Sequence, residues 1–317
     1  MKYKHLFPLV ILTLSSCSQS TFVIDNRIFC FDTMVETHLY EGKQKDSEKI
    51  EQIFKEIDKL TDNYNKRDIN NIYTINNTKE EVKIDKDLYD FLQLSLNIKN
   101  EGGFYYNPLC GSLAKKWKES LKIPQILDKN IINGEIDKIN NTEIIFKDDY
   151  VVQRTGDGEI DLGGIAKGYA LDMVYNYLAN NSISKYLINA GTSSILLGEK
   201  NTKDGYFSVG IKGLSNAYLK LKNCFISTSG TSEQSCVIDG KTYSHIINPI
   251  TGDALCQYDS VLVICDKGYY SDAMSTSLMM NSIEEIKELE KEYGFKSIVI
   301  KDKTIVYSNS EIEVLHH

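Results

Sequence analysis

The segment Ile160-Asp161-Leu162-Gly163-Gly164-Ile165-Ala166-Lys167-Gly168-Tyr169-Ala170-Leu171-Asp172 constrains this chain more than any other. An acidic residue enters a Gly-Gly turn, and the turn opens directly into a helix with a lysine in its first turn. Adjacent glycines let the backbone turn sharply and approach a ligand closely. The helix N-terminus behind them offers N–H groups and positive potential to an anion, with a carboxylate in reach for hydrogen bonding or a metal. The same pattern also serves a plain strand-to-helix connection packed through its glycines, and the motif by itself does not choose between the two.

The order of elements around it gives the fold class. Residues 21–30 read as a linker running into a first strand, Met34 to Tyr40. Asp46 or Ser47 caps a helix in which Ile50, Ile53, Ile57 and Leu60 recur at helical spacing, and an Asn-rich loop follows from Thr61 to Lys79. A second helix starts at Asp87, with Leu88, Phe91, Leu92, Ser95 and Ile98 on one face. After a Gly102-Gly103 turn, a short helix over Gly111–Leu121 carries the only tryptophan, Trp117. From Glu143 onward strands dominate, broken by helices near 165–179, 271–280 and 283–293 and closed by a hairpin at 297–307. No repeat or low-complexity linker is evident. This order predicts an α+β fold: one large domain with a mixed or antiparallel core sheet flanked by helices, and a small helical subdomain near 45–140.

The N-terminus reads as a targeting signal. Lys2, Lys4 and His5 precede the apolar run Leu6–Leu14, which is too short to span a bilayer comfortably. The run ends in Leu14-Ser15-Ser16-Cys17, which resembles a bacterial lipobox. Residues 1–16 are then a lipoprotein signal peptide, 17–30 a linker lipidated at Cys17, and 31–317 the functional domain, tethered to a bilayer outside the cytoplasm. Two or three acyl chains, at ~0.8 kcal/mol per buried methylene, make a lasting anchor. A net charge of −8 without a basic stripe argues against nucleic acid as a partner. The cysteines beyond Cys17 form no CxxC pair, so buried free thiols are expected rather than a zinc site.

Four further segments expose backbone and hydroxyls: Gly191-Thr192-Ser193-Ser194, Ser227–Ser232, Tyr243–Gly252 with His245, and Asp272–Ser277 at the start of a helix. Each has a plain reading as a turn, a cap or a structural histidine. As a set they fit one chemistry. Asp272 and Thr276 share a helix face and, with carbonyls of a Gly-rich turn, suit a hard cation such as Mg²⁺. The Gly-rich turn and Lys167 suit the phosphates that cation would bridge, and a histidine could take a proton from an attacking hydroxyl. That outlines phosphoryl-group transfer from a diphosphate donor; no GxxxxGK[ST] sequence occurs, which argues against a P-loop nucleotidase.

With these motifs in this order, from about Phe31 to the C-terminus, the chain resembles the ApbE family of FAD:protein FMN transferases. The resemblance rests on Asp161–Asp172, Asn189–Ser194, Ser227–Gly230, His245–Gly252 and Ser271–Thr276. It implies that FAD is bound as substrate with its diphosphate on Mg²⁺, that FMN moves to a Ser or Thr of an exported partner protein, and that AMP leaves. It further implies metal ligation by Asp272, Thr276 and carbonyls of the Gly164–Ala166 turn, with His245 as base and Asp272 essential to the chemistry. Phe31, Tyr64, Gly103, Phe104, Tyr105, Asp161, Lys167, Gly191, Thr192, Ser193 and Ile246 would contact FAD. Gly103-Phe104-Tyr105 replaces the Ala-Phe-Asp common in members, Phe31-Asp32-Thr33 a Met-Gly-Thr, and Gly191-Thr192-Ser193 a Gly-Gly-Ser. The alternatives are hydrolysis of FAD to FMN and AMP, and a non-catalytic FAD-binding lipoprotein.

Overall fold

Apolar runs in the C-terminal half read as continuous because their strands are covered on both faces. The computed structural model describes residues 22–101, 104–232 and 235–316. In chain order its elements are β1 (Ile24–Cys30), β2 (Thr33–Leu39), α1 (Gln44–Thr61), α2 (Ile72–Asn76), β3 (Val82–Lys83), α3 (Lys86–Asn100), α4 (Gly111–Lys122), α5 (Lys129–Asn140), β4 (Ile144–Lys147), β5 (Val151–Arg154), α6 (Ala166–Asn180), β6 (Tyr186–Ala190) and β7 (Ser194–Leu197). Then follow β8 (Phe207–Gly210), β9 (Ala217–Leu221), β10 (Cys224–Gly230), β11 (Ser235–Ile238), β12 (Lys241–Ser244), β13 (Ser260–Cys265), α7 (Gly268–Leu278), α8 (Ile283–Tyr293), β14 (Lys296–Lys301), β15 (Thr304–Ser308) and β16 (Leu315–His316).

Eight strands form the main sheet in the order β1-β2-β6-β7-β10-β13-β14-β15, with every neighbouring pair antiparallel. Side chains alternate between its faces. Leu196, Phe225, Val261, Val263 and Val299 join a core with the helices, whereas Leu197, Ile226, Leu262, Ile298 and Ile300 join a second core under the small β16-β9-β8 sheet. Helices α1 to α5 lie within 44–140, close to the expected helical segment. They are nevertheless a layer of the same body, because Ile50, Phe54, Phe91 and Trp117 share the first core with the sheet.

Three local readings change. Residues 24–30 are not linker but edge strand β1, paired with β2 from Ile24↔Leu39 to Cys30↔Thr33. Asp25 and Arg27 point outward in alternation, which hides a strand pattern from a hydropathy reading. The Asn-rich stretch contains α2, capped when the Thr74 N–H donates to Asn71 Oδ1 at 3.1 Å and held by fully buried Ile72 and Ile75. Helix α5 follows a cap in which Asn130 N–H donates to Asp128 Oδ1 at 2.8 Å. All six cysteines among the described residues are free thiols, and no described helix is long and apolar enough to cross a membrane.

Candidate active site

The Gly-rich turn is held from below by two buried polar side chains. Asn76 bonds both backbone groups of Ile160, its Nδ2 donating to the carbonyl at 2.8 Å and its Oδ1 accepting from the N–H at 2.8 Å. Buried Arg154 donates to the carbonyls of Ile75, Asn76 and Gly158. Asp161 then closes the turn itself: its Oδ1 accepts from Gly163 N–H at 2.8 Å, leaving Gly163 and Gly164 exposed at the start of α6.

Helix α6 reaches the site by crossing α7 at two glycines. A Cβ on Gly168 would lie 2.1 Å from the Gly268 carbonyl oxygen, and one on Gly268 would lie 2.3 Å from that of Gly168. At this crossing each helix caps the other. Asp272 Oδ2 accepts from Gly168 N–H at 2.7 Å, while Asp172 Oδ1 and Oδ2 accept from Gly268 and Tyr269 N–H at 2.8 and 2.7 Å. The sequence carries a matching echo, Lys167-Gly168-Tyr169-Ala170-Leu171-Asp172 and Lys267-Gly268-Tyr269-Tyr270-Ser271-Asp272. The reading of a chain without repeats therefore missed a short one, and Asp172 with it.

Burial raises the Asp172 carboxyl to about 6, with the Asp272 charge adding to the rise; the two backbone N–H bonds and Lys267 oppose it. The folded pKa exceeds the ordinary 3.8, so the folded chain holds this proton more tightly and loses that advantage as pH rises through about 6. The stability of Asp172→Asn relative to wild type should therefore climb between pH 3.8 and about 6. Urea midpoints measured across that window check it; a flat difference would refute the buried charge.

Asp272 accepts three hydrogen bonds at the site. Besides Gly168 N–H, its Oδ1 accepts from the Ser194 and Ser227 hydroxyls at 2.7 and 2.5 Å. Ser229 Oγ lies 3.1 Å from Thr276 Oγ1 and 2.9 Å from Ser275 Oγ. Ser194, Ser227 and Ser229 thus enter through the hydroxyl-rich strand ends, where the order of elements placed them but no role was assigned. The His245 segment is tied down by Trp117, whose Nε1 donates to the Gly252 carbonyl at 2.8 Å and whose ring stacks on Tyr243.

These pieces line one cleft of about 690 Å³. Phe31, Tyr64, Tyr105, Asp161, Gly164, Ala166, Lys167, Ser193, His245, Ile246, Asp272 and Thr276 all border it. Phe31 sits in a two-residue turn with Asp32, both at positive φ, and its N–H donates to Asp58 Oδ1 at 2.9 Å. Three calls fall elsewhere. Phe104 turns into an aromatic cluster with Tyr270 and Tyr293 and does not border the cleft. Gly191 and Thr192 serve the β6–β7 turn: both have positive φ, and a Cβ on Gly191 would meet Thr33 Oγ1 at 2.5 Å. Gly103 lies outside the described residues.

No group of three or more His, Cys, Asp or Glu that could hold a metal occurs among the described residues. What the cleft offers is one carboxylate, hydroxyls and turn carbonyls. Such an all-oxygen set, with few protein charges, fits Mg²⁺ completing its shell with water and substrate phosphate, and does not fit a softer metal.

Residues 31–299 match the ApbE family. An FAD:protein FMN transferase of Treponema pallidum is 25% identical over 233 residues, 67% of this chain and 64% of that protein. One from Chlamydia pneumoniae is 27% identical over 309 residues, covering 92% of this chain and 95% of that protein. The crystal structure of the ApbE protein of Thermotoga maritima shares the fold, with a TM-score of 0.76 at 22% identity over 90% of this chain and 97% of that one. The α+β body, the cleft at the α6–α7 crossing and the match over 31–299 agree, and this chain belongs to the ApbE family.

Proposed function

We propose that this protein is a Mg²⁺-dependent FAD:protein FMN transferase that moves FMN from FAD to a Ser or Thr side chain of an exported partner and releases AMP. The observation that carries the reading is the convergence of Asp161, Lys167, His245, Asp272 and Thr276, from three separate segments, on one cleft of a size suited to a nucleotide.

The exposed Gly163-Gly164 turn and the start of α6 bind the diphosphate, and Lys167 offsets its charge. Phe31, Tyr64, Tyr105 and Ile246 line the flavin or adenine, and their apolar faces exclude water. His245 takes the proton of the acceptor hydroxyl. Its oxygen bonds to the FMN phosphorus as the bond from that phosphorus to the bridging oxygen breaks, and AMP departs with the bridging oxygen. Asp272, Thr276 and the carbonyls of Gly164 and Ala166 would hold Mg²⁺, which supplies charge neutralisation for the phosphates and leaving group.

Incubation with FAD, Mg²⁺ and an acceptor peptide tests this. Covalent FMN on the peptide is the expected result. FMN and AMP without labelled peptide would instead identify a pyrophosphatase, and unchanged FAD a binder. His245→Ala should slow labelling by about 10²–10⁴ while leaving FAD affinity in place; undiminished labelling removes His245 as the base. The acyl tether at Cys17, outside the described residues, belongs to the same proposal. Palmitate incorporation that survives Cys17→Ser would contradict it.

A further inference from the structure

The main sheet ends in two unlike edge strands. β15 has five residues, pairs with β14 through a bulge between Val299 and Ile300, and is entered through a turn carrying Lys301 and Lys303. Bulges and lysines are ordinary defences against the addition of another strand. β1 has neither. Its seven residues pair with β2 in unbroken register, it contains no proline or lysine, and its one cation, Arg27, is held by Glu36 at 3.1 Å. The Met34 carbonyl, opposite Phe29, accepts from Gly191 N–H just past β6 at 3.0 Å. Antiparallel pairs alternate, so the backbone groups of Phe29 face the open edge, as do those of Arg27 and Asp25. In keeping with this, the Arg27 N–H bonds the neighbouring side chain, Asn26 Oδ1, at 2.9 Å. Phe29 is 68% exposed and stands across from Met34, 47% exposed, on one face of the hairpin. Phe29, Cys30 and Phe31 all border the cleft, so this edge leads into it.

We propose that β1 is the docking edge for the acceptor: an extended segment of the partner protein pairs with it, lays an apolar side chain on Phe29 and Met34, and carries its Ser or Thr past Cys30 into the cleft that His245 borders. The proposal rests on the reading of the protein as a flavin transferase. Such an enzyme must seat a protein chain as well as FAD. An open strand edge seats any extended segment through main-chain bonds, and the apolar pair beside the cleft selects among them. An incoming carbonyl replaces Asn26 at the Arg27 N–H.

Amide hydrogen exchange of the full chain, with and without the threonine-bearing peptide labelled in the transfer assay, tests this. The peptide should slow exchange at Asp25, Arg27 and Phe29. Arg27→Pro puts a ring where the incoming strand would lie and leaves the bonds to β2 in place, so the KM for the peptide should rise about tenfold or more. Arg27→Ala keeps the N–H and should leave that KM near the wild-type value. FAD affinity should hold in both variants, because Arg27 does not border the cleft. Exchange untouched by the peptide, a KM that Arg27→Pro leaves unchanged, or an equal rise in both variants overturns the proposal. Slow exchange at these amides before peptide is added also overturns it. Protection that weakens on dilution would then mean that a second copy of the chain occupies the edge, and protection that does not would mean that the chain's own N-terminal residues do. Wild-type protein that labels no peptide would instead refute the transferase reading itself.

Discussion

Gly168→Ala should destabilise this protein by about 3 kcal/mol or more, although it adds a single methyl group. The methyl would run into the Gly268–Tyr269 peptide of α7: the Gly268 carbonyl oxygen at 2.1 Å, its carbon at 2.4 Å and Tyr269 nitrogen at 2.8 Å. A flexible side chain could rotate away; a peptide unit fixed in α7 cannot. Relief requires moving α6 from α7, and that lengthens the capping bonds from Asp272 to Gly168 and from Asp172 to Gly268 and Tyr269 together. Loss of stability and loss of site geometry are therefore coupled. Thermal denaturation should show a fall of roughly 6 °C or more. Gly134→Ala provides the contrast: it lies exposed in α5 with nothing within 4 Å of an added Cβ, and should gain about 0.5–1 kcal/mol from helix propensity. A Gly168→Ala protein as stable as wild type would mean that the crossing is looser than its geometry states.

The crossing also shows what a sequence can and cannot disclose. Asp161, Gly164, Lys167, Asp272 and Thr276 were legible because turn glycines, a helix start and an i, i+4 pair are local patterns. The antiparallel sheet was legible from apolar runs with turn signals between them. Contacts between segments remote in sequence leave no such local trace. Asn76 sits in a stretch that reads as polar loop, yet it pins Ile160, 84 positions away. Phe104 looks equivalent to its cleft-bordering neighbour Tyr105, but its ring packs against Tyr270 and Tyr293 instead. Gly191 and Thr192 share a hydroxyl-rich segment with Ser193, and only the positive φ of the turn separates their roles. The Lys-Gly-Tyr-x-x-Asp echo was visible in principle. Its meaning depended on knowing that the two copies touch.

Asp272→Asn should lower FMN transfer at least about a thousandfold, the scale set by losing several kcal/mol of charge stabilisation at a phosphoryl centre. Asp272 faces Gly168 N–H, Ser194 Oγ and Ser227 Oγ, all donors at 2.5–2.7 Å. A carboxylate accepts from all three; an amide has one acceptor oxygen and turns an NH₂ toward the remaining donors. Some loss of stability is thus built into the substitution, and activity alone would not separate the two effects. Ser194→Ala and Ser227→Ala resolve them, because each removes a donor and leaves the carboxylate. If Asp272 only supports the fold, these variants should lose activity in proportion to stability, as Asp272→Asn does. If its charge serves the reaction, Asp272→Asn should be nearly inactive well below its own melting temperature. The serine variants should then retain transfer within about tenfold of wild type, the range of orienting partners around a ligand. Peptide labelling that persists in folded Asp272→Asn protein would remove the carboxylate from the chemistry and leave it as the cap of α6.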